Sequence, residues 1–151
     1  MGSIERIQNV AKRVAKWMRA GHQVVVVPSA MSGETNRLLG LAKELSANPN
    51  PRELDQIAAT GEQVSSGLLA IALQEQGIDA VSYSGWQVTV HTDSAYTKAR
   101  ILGIDDAKIK KDLDAGRAVV ITGFQGVDQS GNVTTLGRGG SDTSAVAVAA
   151  A

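Results

Sequence analysis

The sequence contains no cysteine, which excludes a disulfide framework and any thiolate metal site. Aromatic residues are scarce: two tryptophans, two tyrosines and one phenylalanine, too few to build a base-stacking platform. Charge of one sign is also missing. Fifteen Lys and Arg balance fifteen Asp and Glu, so no broad basic field draws nucleic acid. No apolar run approaches the roughly 20 residues that span a membrane. The N-terminus lacks the charged-then-apolar pattern of a signal peptide. Together these absences lead us to expect a cytoplasmic protein with neither nucleic acid nor membrane as partner. What remains is a 151-residue chain with 43% hydrophobic residues, enough for one domain with a real core.

Glycine is plentiful, and its densest use lies late in the chain, in Thr134-Thr135-Leu136-Gly137-Arg138-Gly139-Gly140-Ser141-Asp142-Thr143. Such a run frees the backbone for positive φ and for close approach of a ligand. An apolar segment, reading as a packed helix, starts at Ser144. A glycine-rich turn feeding a helix offers free N–H groups to an anion, and Arg138 can hold a carboxylate or phosphate in two parallel hydrogen bonds. The plainer alternative is a tight turn capped by Ser141 or Asp142, with Arg138 in solvent.

From the start, residues 3 to 20 read as an amphipathic helix capped by Ser3, with Ile4, Ile7, Val10, Ala11, Val14, Trp17 and Met18 at helical spacing. Its Lys and Arg residues read as a solvated face. Gln23-Val24-Val25-Val26-Val27 has the β-branched continuity of a strand buried on both faces. The loop Ser29 to Arg37 follows it and precedes a helix carrying Leu38, Leu41, Ala42 and Leu45. That is the carboxyl end of a parallel strand, where open α/β sheets bind ligands; alternatively Ser29, Ser32 or Thr35 merely caps the helix. Pro51 opens a further helix, interrupted at Thr60-Gly61-Glu62-Gln63. A deeply packed helix then runs to Gln76, carrying Val64, Leu68, Leu69, Ile71, Ala72 and Leu73, with Gly77 as its stop. Glu62 near its start is either a capping acid or a partner for a substrate cation. Strands are expected at residues 78–83 and 118–122, and less clearly at 88–90 and 99–102. A short charged helix fits 104–113, and a hairpin turn fits 128–132. Alternating helices and strands predict a parallel sheet covered on both faces.

Four of these motifs together are specific. Ser29-Ala30-Met31-Ser32-Gly33-Glu34-Thr35-Asn36, Thr60-Gly61-Glu62-Gln63, Gly123-Phe124-Gln125-Gly126 and Thr135-Leu136-Gly137-Arg138-Gly139-Gly140-Ser141-Asp142 resemble the aspartate kinases in order and spacing, over essentially the whole chain. The resemblance implies an α/β fold of the amino-acid-kinase type: a three-layer α/β/α sandwich on a mainly parallel sheet. It implies transfer of the γ-phosphoryl of ATP, with Mg2+, to the side-chain carboxylate of L-aspartate, the first step towards lysine, threonine and methionine. It places Ser29 and Thr35 in the aspartate pocket, Glu62 on the substrate's amino group and Arg138 on a substrate carboxylate. Gly139 and Gly140 keep the approach open, and Phe124 packs nearby. Ser141 and Asp142 lie where substrate and nucleotide meet, with Asp142 orienting catalytic lysines.

The resemblance also implies an incomplete domain, residues 1–151 being its aspartate-binding half. The family's opening strand, Lys-Phe/Tyr-Gly-Gly-Thr-Ser, would directly precede Gly2-Ser3-Ile4, where Met1 stands. Its nucleotide-binding half and regulatory ACT domains would follow Ala151. The expectations are therefore a chain inactive alone and self-associating through an uncovered sheet. The alternatives are a kinase for another amino acid such as glutamate, and a non-catalytic module that binds an amino acid or assembles.

Overall fold

A computed structural model describes all residues, Met1 to Ala151. Six helices and seven strands alternate along it: α1 (Ile4–Arg19), β1 (Val25–Val26), α2 (Glu34–Leu45), α3 (Pro51–Ala58), α4 (Thr60–Glu75), β2 (Ala80–Tyr83), β3 (Val90–Thr92), β4 (Ile101–Ile104), α5 (Ala107–Asp114), β5 (Ala118–Ile121), β6 (Gln125–Val127), β7 (Val133–Thr135) and α6 (Gly140–Ala150). No helix is long and apolar enough to cross a membrane.

β5 is the axis. It pairs in parallel with β1 on one side and β2 on the other, Val119 facing both Val25 and Val81. All four of its residues are buried, as expected for a strand with sheet on both edges and layers on both faces. Its side chains alternate between two cores. Ala118 and Val120 meet Ile7, Ala11 and Val14 of α1 and Leu69, Ala70 and Leu73 of α4. Val119 and Ile121 meet Tyr83, Val88, Val90 and Ile109 of α5. This is the period-2 signature of a strand between two apolar layers, and it yields the expected helix–sheet–helix arrangement.

A second sheet, in the order β4-β3-β6-β7, was not legible in the sequence. Only β3 and β6 run parallel in it; its other neighbours are antiparallel. The 128–132 turn closes the β6–β7 hairpin, with Val127 opposite Val133.

Several local expectations are corrected. The valine run forms only a two-residue strand and is half-buried, because β1 pairs with β5 alone. Helix α4 is not packed all round: Val64 and Ile71 are exposed, and its buried face is Gly61, Glu62, Ser65, Ser66, Leu69, Ala70 and Leu73. Thr60 to Gln63 do not interrupt a helix; the break falls at Ala59, and these four residues form the first turn of α4. Helix α2 buries only Ala42 fully, with Leu41 and Leu45 exposed. No hydroxyl caps it, since Gly33 does so at φ +78°. Helix α6 starts at Gly140, not Ser144, after Gly139 at φ +73° with no side-chain cap, so neither Ser141 nor Asp142 caps it. It buries only Gly140 and Ser144 fully. Trp17, placed on the apolar stripe of α1, is half exposed and meets the His22 ring edge-on.

Asp128 secures the hairpin. Its carboxylate accepts from the backbone N–H groups of Ser130 and Asn132 at 2.9 Å each, and from Tyr96 and Ser94 hydroxyls at 2.9 and 3.1 Å. Burial pushes this carboxyl up, but the donors outweigh it and bring it down to about 2. A carboxyl held below its unfolded value contributes stability above the ordinary aspartate range, and loses it as pH falls towards the folded value. Asp128→Ala should therefore cost about 2 kcal/mol near neutrality. Urea-unfolding curves of the two proteins should converge as pH is lowered from 7 to 2.

Candidate active site

At the carboxyl ends of β1 and β5 a cavity of about 590 Å³ opens, the position the βα topology dictates for a ligand. Ser29 reaches it from the loop after β1, and Thr35 and Asn36 from the first turn of α2. Asp55 and Ala58 come from α3, and Glu62 from α4. Phe124 follows β5. The turn after β7 brings Gly137, Arg138 and Gly139, and the start of α6 brings Gly140, Ser141 and Asp142. Every residue that the sequence singled out for the site lines this one cavity, though they span more than a hundred positions.

Glu62 is the most unusual of them. It is only 4% exposed. One oxygen, Oε1, accepts the backbone N–H of Ala30 at 3.2 Å, so the carboxylate reaches across to the loop after β1 rather than capping its own helix. The other, Oε2, is buried and has no partner. Burial pushes the carboxyl up, and the Ala30 N–H opposes this only in part. Arg138 is the complementary case: an exposed guanidinium in the same wall, paired with no carboxylate of the chain. The cavity thus holds a desolvated anion and an unpaired cation. Lys43 adds a second cation, and Asp142 a solvent-exposed acid.

Close backbone approach shapes the wall. A Cβ on Gly140 would lie 2.7 Å from the Phe124 ring and 3.1 Å from Leu136. A Cβ on Gly123 would lie 2.9 Å from both Ser141 and Val27. Helix α6 can therefore sit on the β5–β6 link only if both positions are glycine. Phe124 itself takes φ +69°, a conformation costly for a bulky residue. Its N–H donates to Ser144 Oγ at 3.1 Å, and that hydroxyl donates back to the Gly140 carbonyl at 2.9 Å.

The sequence did not single out Asp55, Thr97, Asn36 or Lys43. Asp55 is 1% exposed. It accepts the Thr97 N–H on both oxygens at 3.0 and 2.9 Å, the Thr135 N–H at 2.9 Å and the Thr135 hydroxyl at 2.6 Å. Asp55 and Ala58 stand three apart on one face of α3, and Glu62 follows four residues on in the first turn of α4. That spacing was the available signal. Asn36, Leu39 and Lys43 likewise share one face of α2 and turn it to the cavity. The leucines at 38, 41 and 45 drew attention to a different face.

Two outcomes follow. Because the Glu62 carboxyl is raised above its unfolded value, it weakens the unliganded fold increasingly as pH rises through its titration. Glu62→Gln should melt higher than the wild type at pH 7 and equal to it at pH 4 in a thermal scan. Asp55→Ala leaves two N–H donors and a hydroxyl without an acceptor, and should lose about 3 kcal/mol in urea titration.

The chain matches the model of the amino acid kinase family over residues 1–151. It is 64% identical to an aspartate kinase of Pseudomonas fluorescens and 52% identical to aspartokinase 2 of Bacillus subtilis, in both cases over the whole chain. It spans 37% of the length of each of these relatives. The crystal structure of aspartate kinase from Synechocystis superposes on 99% of the chain with a TM-score of 0.83 at 44% identity, and the chain covers 24% of it. Escherichia coli aspartokinase III in complex with aspartate and ADP shares the fold, with a TM-score of 0.78 at 22% identity over 93% of the chain and 43% of its own length. With its parallel core sheet, its flanking helices and a match from the first residue to the last, the chain belongs to the amino acid kinase family.

Proposed function

We propose that this chain forms the amino-acid-substrate part of an ATP-dependent aspartate kinase, which phosphorylates the side-chain carboxylate of L-aspartate. One observation carries the reading: Glu62, a buried carboxylate with one unpartnered oxygen, and Arg138, an unpaired guanidinium, both line the same cavity. A free anion and a free cation in one cleft complement an amino acid, whose ammonium and carboxylate bear the opposite charges. Aspartate carries a second carboxylate, which Lys43, the hydroxyls of Ser29, Thr35 and Ser141, or the amides of the Gly137-Arg138-Gly139 turn can receive.

A carboxylate is already a nucleophile and needs no strong base. The work of these residues is to fix the substrate in orientation and to exclude water from around its reacting oxygen. Arg138 and Glu62 hold the two ends of the amino-acid backbone. The packed Phe124–Gly140 contact closes one wall. ATP with Mg2+ is the proposed phosphoryl donor. No group of three or more His, Asp or Glu side chains of this chain is arranged to hold a metal ion. The relatives' names, the identity over the whole chain and the aspartate named in the Escherichia coli complex support the reading. It includes self-association, for which the outer edge of β1 is available.

Calorimetric titration tests the reading. The purified chain should bind L-aspartate saturably and prefer it to L-glutamate. Arg138→Ala, losing a charge-assisted pair, should weaken binding by at least about tenfold. Absence of binding by the wild type, or preference for glutamate, would overturn it.

A further inference from the structure

Two side-chain atoms in the whole chain are buried without a hydrogen-bond partner: Glu62 Oε2 and Ser66 Oγ. They belong to residues four apart on the buried face of α4. Residues at that spacing lie one above the other, with Cβ atoms about 5–6 Å apart. Buried polar groups are otherwise satisfied, by protein or by ordered water.

Ser66 is exceptional in a second way. The other two buried hydroxyls in helices here turn back onto the carbonyl four residues earlier, and the exposed Thr143 does the same. Ser65 donates to Gly61 at 3.3 Å, Ser144 to Gly140 at 2.9 Å and Thr143 to Gly139 at 3.3 Å. Ser66, at 1% exposure, does not. The usual local partner is declined, and the hydroxyl sits one turn behind the carboxylate whose second oxygen is also unmet. No direct bond joins the two atoms, and a single water with both as polar partners would satisfy the pair.

We propose that Ser66 is a positioning residue for Glu62, its hydroxyl joined to Oε2 through one bridging water that holds the carboxylate against the cavity. The proposal rests on the reading of Glu62 as the group that receives the substrate's ammonium. Ser66 does not line the cavity, so it acts only through Glu62. Its part is to keep Glu62 ionised and aimed while the cavity is empty. Other charges face Glu62 from neighbouring elements. Glu34 on α2 lies 3.6 Å from a Cβ built at Gly61 and is paired with Arg37. Lys43 comes from α2, Asp55 from α3, Arg138 from the turn and Asp142 from α6. None of these is altered by a change at Ser66.

The test is a carbon-detected NMR titration of the Glu62 carboxyl from pH 3 to 8, with Glu62→Gln identifying the signal. Removing a hydrogen bond to the charged form raises the midpoint. Ser66→Ala should move it up by about half a unit or more. Ser66→Thr, which keeps the hydroxyl, should leave it near the wild-type position. A Ser66→Ala midpoint equal to that of the wild type overturns the proposal, whatever the variant does to stability. L-Aspartate titrations on the same samples separate the two readings. With Glu62 as the ammonium site, Ser66→Ala weakens binding several-fold at pH values within the Glu62 titration and little well above it. If no sample binds aspartate, the reading of the cavity fails, and the carboxyl titration still decides the role of Ser66.

Discussion

The structure turns on a buried carboxylate that has no cation. Asp55 is shielded from solvent and none of the chain's ion pairs includes it. A charge in that position is costly unless hydrogen bonds replace its water. Here the Thr97 amide and the amide and hydroxyl of Thr135 do so. Satisfying the charge forces three elements into one place: α3, the loop between β3 and β4, and the last residue of β7. Thr97 takes φ +68° to present its amide. Its carbonyl oxygen would lie 3.3 Å from a Cβ on Gly137, the first glycine of the turn that carries Arg138. The direction of that turn is thus inherited from an aspartate more than eighty positions earlier.

A second junction works on the same principle. Gln125 is fully buried and donates to the Ala59 carbonyl at 2.8 Å, at the break between α3 and α4, while its Oε1 accepts from Gly85 at 3.3 Å. The break aims α3 and α4 independently, so that Asp55 and Glu62 both reach the cavity. With Gly123 and Gly140 admitting α6 onto the β5–β6 link, polar pins and missing side chains together set the site. The apolar cores hold the layers apart and parallel; they do not by themselves fix the cavity.

Much of this was legible in advance, and for a physical reason. Helices α1, α3 and α4, the buried strand β5 and the glycine stops announce themselves by periodicity and by local backbone chemistry, which need no knowledge of the fold. The four loop motifs stood out because Gly, Ser, Thr and charge are concentrated in them. What escaped was set by distant partners. The second sheet is built of three- and four-residue strands whose pairing, not their composition, makes them strands. The valine run looked like a central strand because β-branched residues do not report how many neighbours a strand has. Asp55 resembled any acid on an amphipathic helix until Thr97 and Thr135 arrived at it. Ser3 caps α1 as expected, its hydroxyl accepting the Arg6 N–H, but the hydroxyls expected to cap α2 and α6 do not, because glycines in left-handed conformation begin those helices instead.

The span between Asp55 and Thr135 has a kinetic side. Their hydrogen bonds close a loop of 80 residues, and the chain must surrender the entropy of that closure before the contact returns anything. The parallel strands and the α1–α4 layer can assemble without it. The sheet itself carries the same cost, since Val25 of β1 meets Val119 of β5 across a longer span still, so the cavity forms only with closure of the whole fold. Whatever binds there reports on completion of the fold, and by binding it slows the chain's return to looser forms.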